Sequence, residues 1–211
     1  MKKLIKLKSN EYLLLKDGNI FDVITQKNNF LDILIHNGKI VEIGKIKAKE
    51  HYRTIDCKDN IITQAFIDIH SNFRSPGIGD QETFESGSYA ALSGGYSRVC
   101  IMPDTDPIID NAELVNFIFD KTSSLPIKIY PIGAVTKQLK GNEISELGLM
   151  IRSGAVAISD SKFSIANGQV MRYALEYAKM FNVPVINHPE DFNLVNKGVM
   201  NESITSNNLG L

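Results

Sequence analysis

From Gln64 onward the chain alternates apolar runs with helix-like stretches, and this rhythm limits its fold more than any other feature. Apolar runs at residues 65–69, 99–102, 127–135, 155–158 and 183–186 read as strands. Residues 82–92, ending at Gly94-Gly95, and residues 112–119, 144–152 and 169–181 read as helices. Strands that alternate with helices of this length pair in parallel through right-handed crossovers, so the expected class is α/β. Each run leads into polar residues capable of chemistry. The first leads into Asp68, His70, Asn72 and Arg74, and the second into Asp104. The third leads into Thr136 and Lys137, the fourth into Asp160 and the fifth into His188.

Chemistry gathered at the carboxyl ends of successive strands fits a (β/α)8 barrel, whose active sites lie on that face. A doubly wound sheet would also bind ligands there, but it opens on a glycine-rich phosphate loop. Here the first strand is followed by His70-Ser71-Asn72-Phe73-Arg74-Ser75-Pro76-Gly77, which is no such loop. The expectation is therefore a partial (β/α)8 barrel over residues 64–211, with about five strands. A closed barrel takes about 250 residues, against roughly 150 here, so about three strands are wanting and the last strand presents an unpaired parallel edge. Residues 1–63 read as a small β-sandwich segment. Short strands are expected at 12–15, 31–36, 40–43 and 54–55, with hairpin turns at Asp17-Gly18 and Asn37-Gly38.

Charge excludes some functions. Lys and Arg number 23 and Asp and Glu 24, a formal net charge of −1, so no general basic field attracts nucleic acid or an anionic membrane. Lys2, Lys3, Lys6 and Lys8 form a local basic run that reads as a solubilising terminus. Cys57 and Cys100 each lie in or beside an apolar run, as reduced packing residues do. No apolar run approaches the roughly 20 residues needed to span a membrane, and no signal-peptide pattern opens the sequence. A cytoplasmic protein is expected.

The motifs, taken in order, are similar to those of one family. They run through Phe66-Ile67-Asp68-Ile69-His70-Ser71-Asn72-Phe73-Arg74-Ser75-Pro76-Gly77, Glu82-Thr83-Phe84-Glu85-Ser86-Gly87 and Met102-Pro103-Asp104-Thr105-Asp106-Pro107. They continue in Pro131-Ile132-Gly133-Ala134-Val135-Thr136-Lys137, residues 154–160, His188-Pro189-Glu190-Asp191, Met200-Asn201-Glu202 and Leu209-Gly210-Leu211. The sequence resembles the dihydroorotases of the multifunctional-complex type, within the cyclic amidohydrolases. The resemblance implies a (β/α)8 barrel with a small composite β-sandwich. It implies a site of one or two zinc ions whose bound water attacks the ring amide, interconverting N-carbamoyl-L-aspartate and dihydroorotate in pyrimidine biosynthesis.

Carried over residue by residue, the resemblance makes His70, Asp160 and His188 metal ligands, and Arg74 the grip on the substrate carboxylate. It also marks departures. The first-strand His-x-His-x-Arg motif reads His70-Ser71-Asn72-Phe73-Arg74, so Asn72 stands at a lost histidine. An amide oxygen is a weak donor to zinc beside an imidazole. Asp104 stands where the family has Asn, and its charge opposes an anionic substrate unless it is protonated or paired with Arg74. A further His ligand and the late Asp that acts as general base have no counterpart within residues 1–211. The implied enzyme is thus inactive or incomplete as this chain. One alternative is a non-catalytic relative that serves as a structural partner of aspartate transcarbamoylase or as a homo-oligomer. A weaker one is an allantoinase or hydantoinase relative, against which Arg74 speaks. Asp68 reads as a supporting or strand-end residue, Glu190 and Asp191 as either loop-face or supporting residues, Lys137 as no carboxylated ligand, and His36 and His51 as structural or solvated.

Overall fold

The computed structural model describes residues 8–77, 82–195 and 198–210. Lys2, Lys3, Lys6 and Leu211 lie outside the described residues. The chain divides into two compact units, Met1–Ala65 and Phe66–Leu211.

The first unit is a sheet of β1 (Tyr12–Asp22), β2 (Lys27–His36), β3 (Lys39–Gly44), β4 (Tyr52–Asp56) and β5 (Ile61–Ile62). Its order is β3-β2-β1-β4, and β5 also pairs with β1. Strand β2 runs antiparallel to β1 and β3, whereas β4 and β5 run parallel to β1. The Asn37-Gly38 hairpin forms as expected, with φ of 48° and 72°, the left-handed pair that a two-residue turn of this kind needs. Asp17-Gly18 makes no turn. It is a bulge inside β1, where the register shifts between Leu15 and Gly18. The cause is Asp32, only 1% exposed, whose carboxylate accepts the amides of Asp17 and Ile46, each at 2.8 Å. The extra residue turns the Asp17 amide toward that carboxylate. Gly18 is required there, because a Cβ would lie 2.3 Å from Ile62 Cδ1. Leu14, Leu34 and Ile46, flanked by Tyr12 and Tyr52, form the core of this unit. His36 stacks on Tyr12 with ring centroids 3.9 Å apart, and His51 meets Tyr12 and Tyr52 edge-on, as structural histidines do.

The second unit alternates strands and helices: β6 (Phe66–Ser71), α1 (Phe84–Ser93), β7 (Tyr96–Ile101), α2 (Ala112–Thr122), β8 (Lys128–Pro131), α3 (Leu147–Arg152), β9 (Ile158–Ser159), α4 (Gly168–Phe181), β10 (Val185–Ile186), α5 (Phe192–Val195) and α6 (Ile204–Leu209). Strands β6, β7 and β8 form one parallel sheet in that order, and β9 and β10 form another. Hydrogen bonds join the two across residues 131–135: Val156 N to Pro131 O, Gly133 N to Ala157 O and Ser159 N to Gly133 O. The result is an α/β fold whose five parallel strands follow chain order, part of a (β/α)8 barrel that does not close.

Side chains alternate along β7, as a strand covered on both faces requires. Val99 and Ile101 join the main core with Ile118, Ile129, Met150, Ile158 and Ala174. Cys100 and Met102 point to a second cluster with Ile132, Ala157 and Ile186. Helix starts carry caps: Thr83 with Ser86 before α1, Asn111 before α2 and Asn167 before α4. The apolar stretch 127–135 yields only the four residues of β8 as strand. Its remainder curves through the core to join the two sheets. The helix expected from 144 starts at Leu147, since Ile144 bridges to Thr136 instead.

Candidate functional site

The carboxyl ends of β6, β7, β9 and β10 surround an open cavity of about 410 Å³. It is lined by His70, Asn72, Arg74, Asp104, Ser161, Lys162, Ile186, Asn187 and His188. Five residues singled out from sequence therefore meet at one place: His70, Asn72, Arg74, Asp104 and His188. Asp160 is the exception.

Strand β6 ends at Ser71, and the next residues are fixed by Phe73, which is 5% exposed and packs against α1. Gly87 makes this approach possible, because a Cβ there would lie 2.8 Å from the Phe73 ring. With Phe73 turned into the core, Asn72 and Arg74 on either side face the cavity. Arg74 adopts φ 55°, an uncommon backbone for a non-glycine residue and one that recurs in ligand-holding loops. Among the described residues it has no ion-pair partner, so its guanidinium remains available to an anion. Asp104 is held by Ser161, whose hydroxyl donates to its Oδ1 at 2.9 Å, and not by Arg74. His188 Nε2 lies 2.9 Å from Glu190 Oε2, which gives Glu190 a supporting role and orients the ring. The Asp68 carboxylate accepts the His70 amide at 2.9 Å.

Asp160 is 3% exposed and is not among the residues that line the cavity. One carboxylate oxygen accepts the Thr136 amide at 2.9 Å, and the other accepts the Thr136 hydroxyl. Burial pushes its pKa up, and the Thr136 hydrogen bonds oppose that shift. The next residue, Ser161, has φ 56° and lines the cavity in its place. Lys137, also expected near the site, pairs with Glu143 on the exterior. Sequence reading passed over Ser161, Lys162 and Asn187. The signal was present, since all three follow strand runs just as the recognised residues do.

A catalytic zinc needs three protein ligands and an open position. Among the described residues, no group of three or more His, Cys, Asp or Glu side chains converges as a metal site would require. His70 and His188 face the cavity, Asn72 brings a neutral amide, and Asp160 is engaged by Thr136. The residues present do not by themselves fit the ion.

Residues 59–211 match the family described as Dihydro-orotase-like. The dihydroorotase of Geobacter metallireducens is 40% identical over 201 residues, 94% of this chain and 47% of that protein. That of Ruminiclostridium cellulolyticum is 38% identical, with the same shares covered. The chain thus spans about half the length of these relatives. Among solved structures, the L-hydantoinase (dihydropyrimidinase) of Arthrobacter aurescens superposes with a TM-score of 0.76 at 18% identity. The match covers 89% of this chain and 42% of that one. A D-hydantoinase superposes at 0.70 with 20% identity, covering 88% of this chain and 42% of that one. At such identities the likeness is one of fold. Family match and relatives together show that this chain belongs to the dihydroorotase-like family.

Proposed function

We propose that this chain carries the substrate-facing half of a dihydroorotase-type site and does not hydrolyse dihydroorotate on its own. The ligand class is N-carbamoyl-L-aspartate and dihydroorotate, the pair that dihydroorotases interconvert in pyrimidine synthesis. The observation that carries this reading is the split fate of the site residues. Arg74 lines the cavity with no ion-pair partner among the described residues, Asp104 on the same cavity being held by Ser161, while Asp160 is spent on Thr136 and Asn72 offers only an amide. A planar two-pronged donor suits a carboxylate. Among the described residues no third donor joins His70 and His188 to hold a metal that would activate water. The two free cysteines, Cys57 and Cys100, suit a reducing, cytoplasmic setting.

The test is calorimetric titration of the full chain with L-dihydroorotate, with Arg74→Ala in parallel. Loss of one charge-assisted two-pronged contact, worth about 2 kcal/mol, should weaken binding roughly 30-fold. Equal binding by both proteins would contradict the reading.

A second reading is a non-catalytic structural partner of aspartate transcarbamoylase. It is favoured by Asn72 and Asp104, whose departures lie inside the region matched to the family. Co-purification with a transcarbamoylase, together with no dihydroorotate binding, would select it.

A further inference from the structure

The turn that follows β9 brings to the cavity a cation for which the motifs assign no role. Lys162 lines the cavity together with Arg74, Asp104, His70 and His188. Hydrogen bonds fix the turn at three points. The Phe163 amide donates to the Asp160 carbonyl at 3.0 Å, closing the turn over residues 160–163. The Ser161 amide donates to the Ser159 hydroxyl at 2.9 Å, and the Ser161 hydroxyl donates to Asp104. The Lys162 ammonium lies 5.4 Å from the centre of the Phe163 ring, a neighbour that favours a cation without neutralising it.

Among the described residues, neither Lys162 nor Arg74 has an ion-pair partner. The described lining of the cavity therefore carries two side-chain cations against one carboxylate, Asp104, and Ser161 already occupies one oxygen of that carboxylate. Arg74 follows β6 and Lys162 follows β9, so the two charges reach a ligand from different parts of the rim. The planar fork of Arg74 is enough for one ligand carboxylate. Lys162 is then left over. It is a compact three-hydrogen donor on a flexible stem, which suits a second anionic group.

We infer that Lys162 sets the charge preference of the cavity: it takes the second carboxylate of a dianionic ligand, so open-chain N-carbamoyl-L-aspartate binds ahead of ring-closed dihydroorotate. The inference rests on the reading of the cavity as a site for this pair. The two ligands differ by one charge. N-carbamoyl-L-aspartate carries two ionised carboxylates at neutral pH. Ring closure turns one of them into an amide with loss of water, and dihydroorotate keeps the other. Arg74 serves the carboxylate common to both, whereas Lys162 finds an anionic partner in one complex only. A lysine that merely offset Asp104 would strengthen both ligands alike, and one that merely faced solvent would strengthen neither.

The test is calorimetric titration of the full chain with N-carbamoyl-L-aspartate and, separately, with L-dihydroorotate. The unaltered protein, Lys162→Gln and Lys162→Arg are compared, with Arg74→Ala as the control for the site itself. The unaltered chain should bind N-carbamoyl-L-aspartate about tenfold more tightly, the order of one charge-assisted hydrogen bond. Lys162→Gln should bring the two affinities together by weakening N-carbamoyl-L-aspartate alone, and Lys162→Arg should restore the gap. Lys162 is exposed, so its replacement removes no core packing, and circular dichroism confirms that each variant is folded. Equal affinities in the unaltered chain would overturn the inference, as would equal weakening of both ligands by Lys162→Gln. In either case the site reading stands if Arg74→Ala weakens both ligands. Failure of both ligands to bind the unaltered chain would overturn the inference and the site reading together.

Discussion

Asp160 shows how a single side chain decides what the site can do. A carboxylate at the end of the fourth barrel strand looks like a metal ligand in sequence, yet both of its oxygens are taken by Thr136. Its burial makes a pH prediction. The folded-state pKa is raised above its unfolded value. Any stability from holding it protonated is therefore fully present below the unfolded pKa of about 3.9 and is lost as pH rises through the folded value. At neutral pH the buried charge is a cost. Denaturation midpoints of Asp160→Asn, less those of the unaltered protein, should accordingly increase as pH rises above about 4 and level off once pH exceeds the raised folded value. A difference that is flat, or that falls with pH, would show that the buried charge is not penalised. Asp32 has the opposite sign. Burial alone would raise its pKa, but the amides of Asp17 and Ile46, with Lys16 and Lys45 nearby, together hold it below the ordinary carboxylate value. Its contribution is present above the unfolded pKa and lost as pH falls through the folded one. Asp32→Ala leaves the buried Ile46 amide and the part-buried Asp17 amide without their acceptor and should cost the first unit about 3 kcal/mol, read by urea denaturation at pH 7.

At the scale of elements, α1 governs the cavity through one contact. Gly87→Ala would gain about 1 kcal/mol in helix propensity. It also places a methyl within 2.8 Å of the Phe73 ring, and overpacking of a buried ring costs about 2 kcal/mol. The net expectation is a loss of about 1 kcal/mol, with weaker dihydroorotate binding because Phe73 sets the loop that carries Asn72 and Arg74. A variant more stable than the parent, with unchanged binding, would contradict it. The same contact shows why some elements were readable in sequence and others were not. Helices α2 and α4 lie nearly where their patterns place them, because apolar spacing and the caps Asn111 and Asn167 agree. Strand β8 stops at Pro131, four residues before its apolar run does, because residues 132–135 are buried as a connecting path and burial alone does not distinguish path from strand. The bulge at Asp17-Gly18 imitates a turn signal. Only the distant Asp32, 15 residues on, reveals its purpose, and no local pattern encodes that partnership.

At the scale of the whole molecule, the order of motifs located the cavity and five of its lining residues. It did not reveal side-chain direction. Asp160 and Ser161 are neighbours in sequence, and the left-handed backbone at Ser161 brings the serine, not the aspartate, to the cavity. Membership of the dihydroorotase-like family is shown, and the same chain fails to assemble the donors that family chemistry needs among its described residues. The sharpest measurement is zinc per chain by elemental analysis of the purified, folded protein, with dihydroorotate hydrolysis assayed on the same sample. Well under one zinc per chain and no turnover are expected. Stoichiometric zinc with turnover would contradict the central claim, because it would mean that Asn72, or a donor from another copy, completes the site.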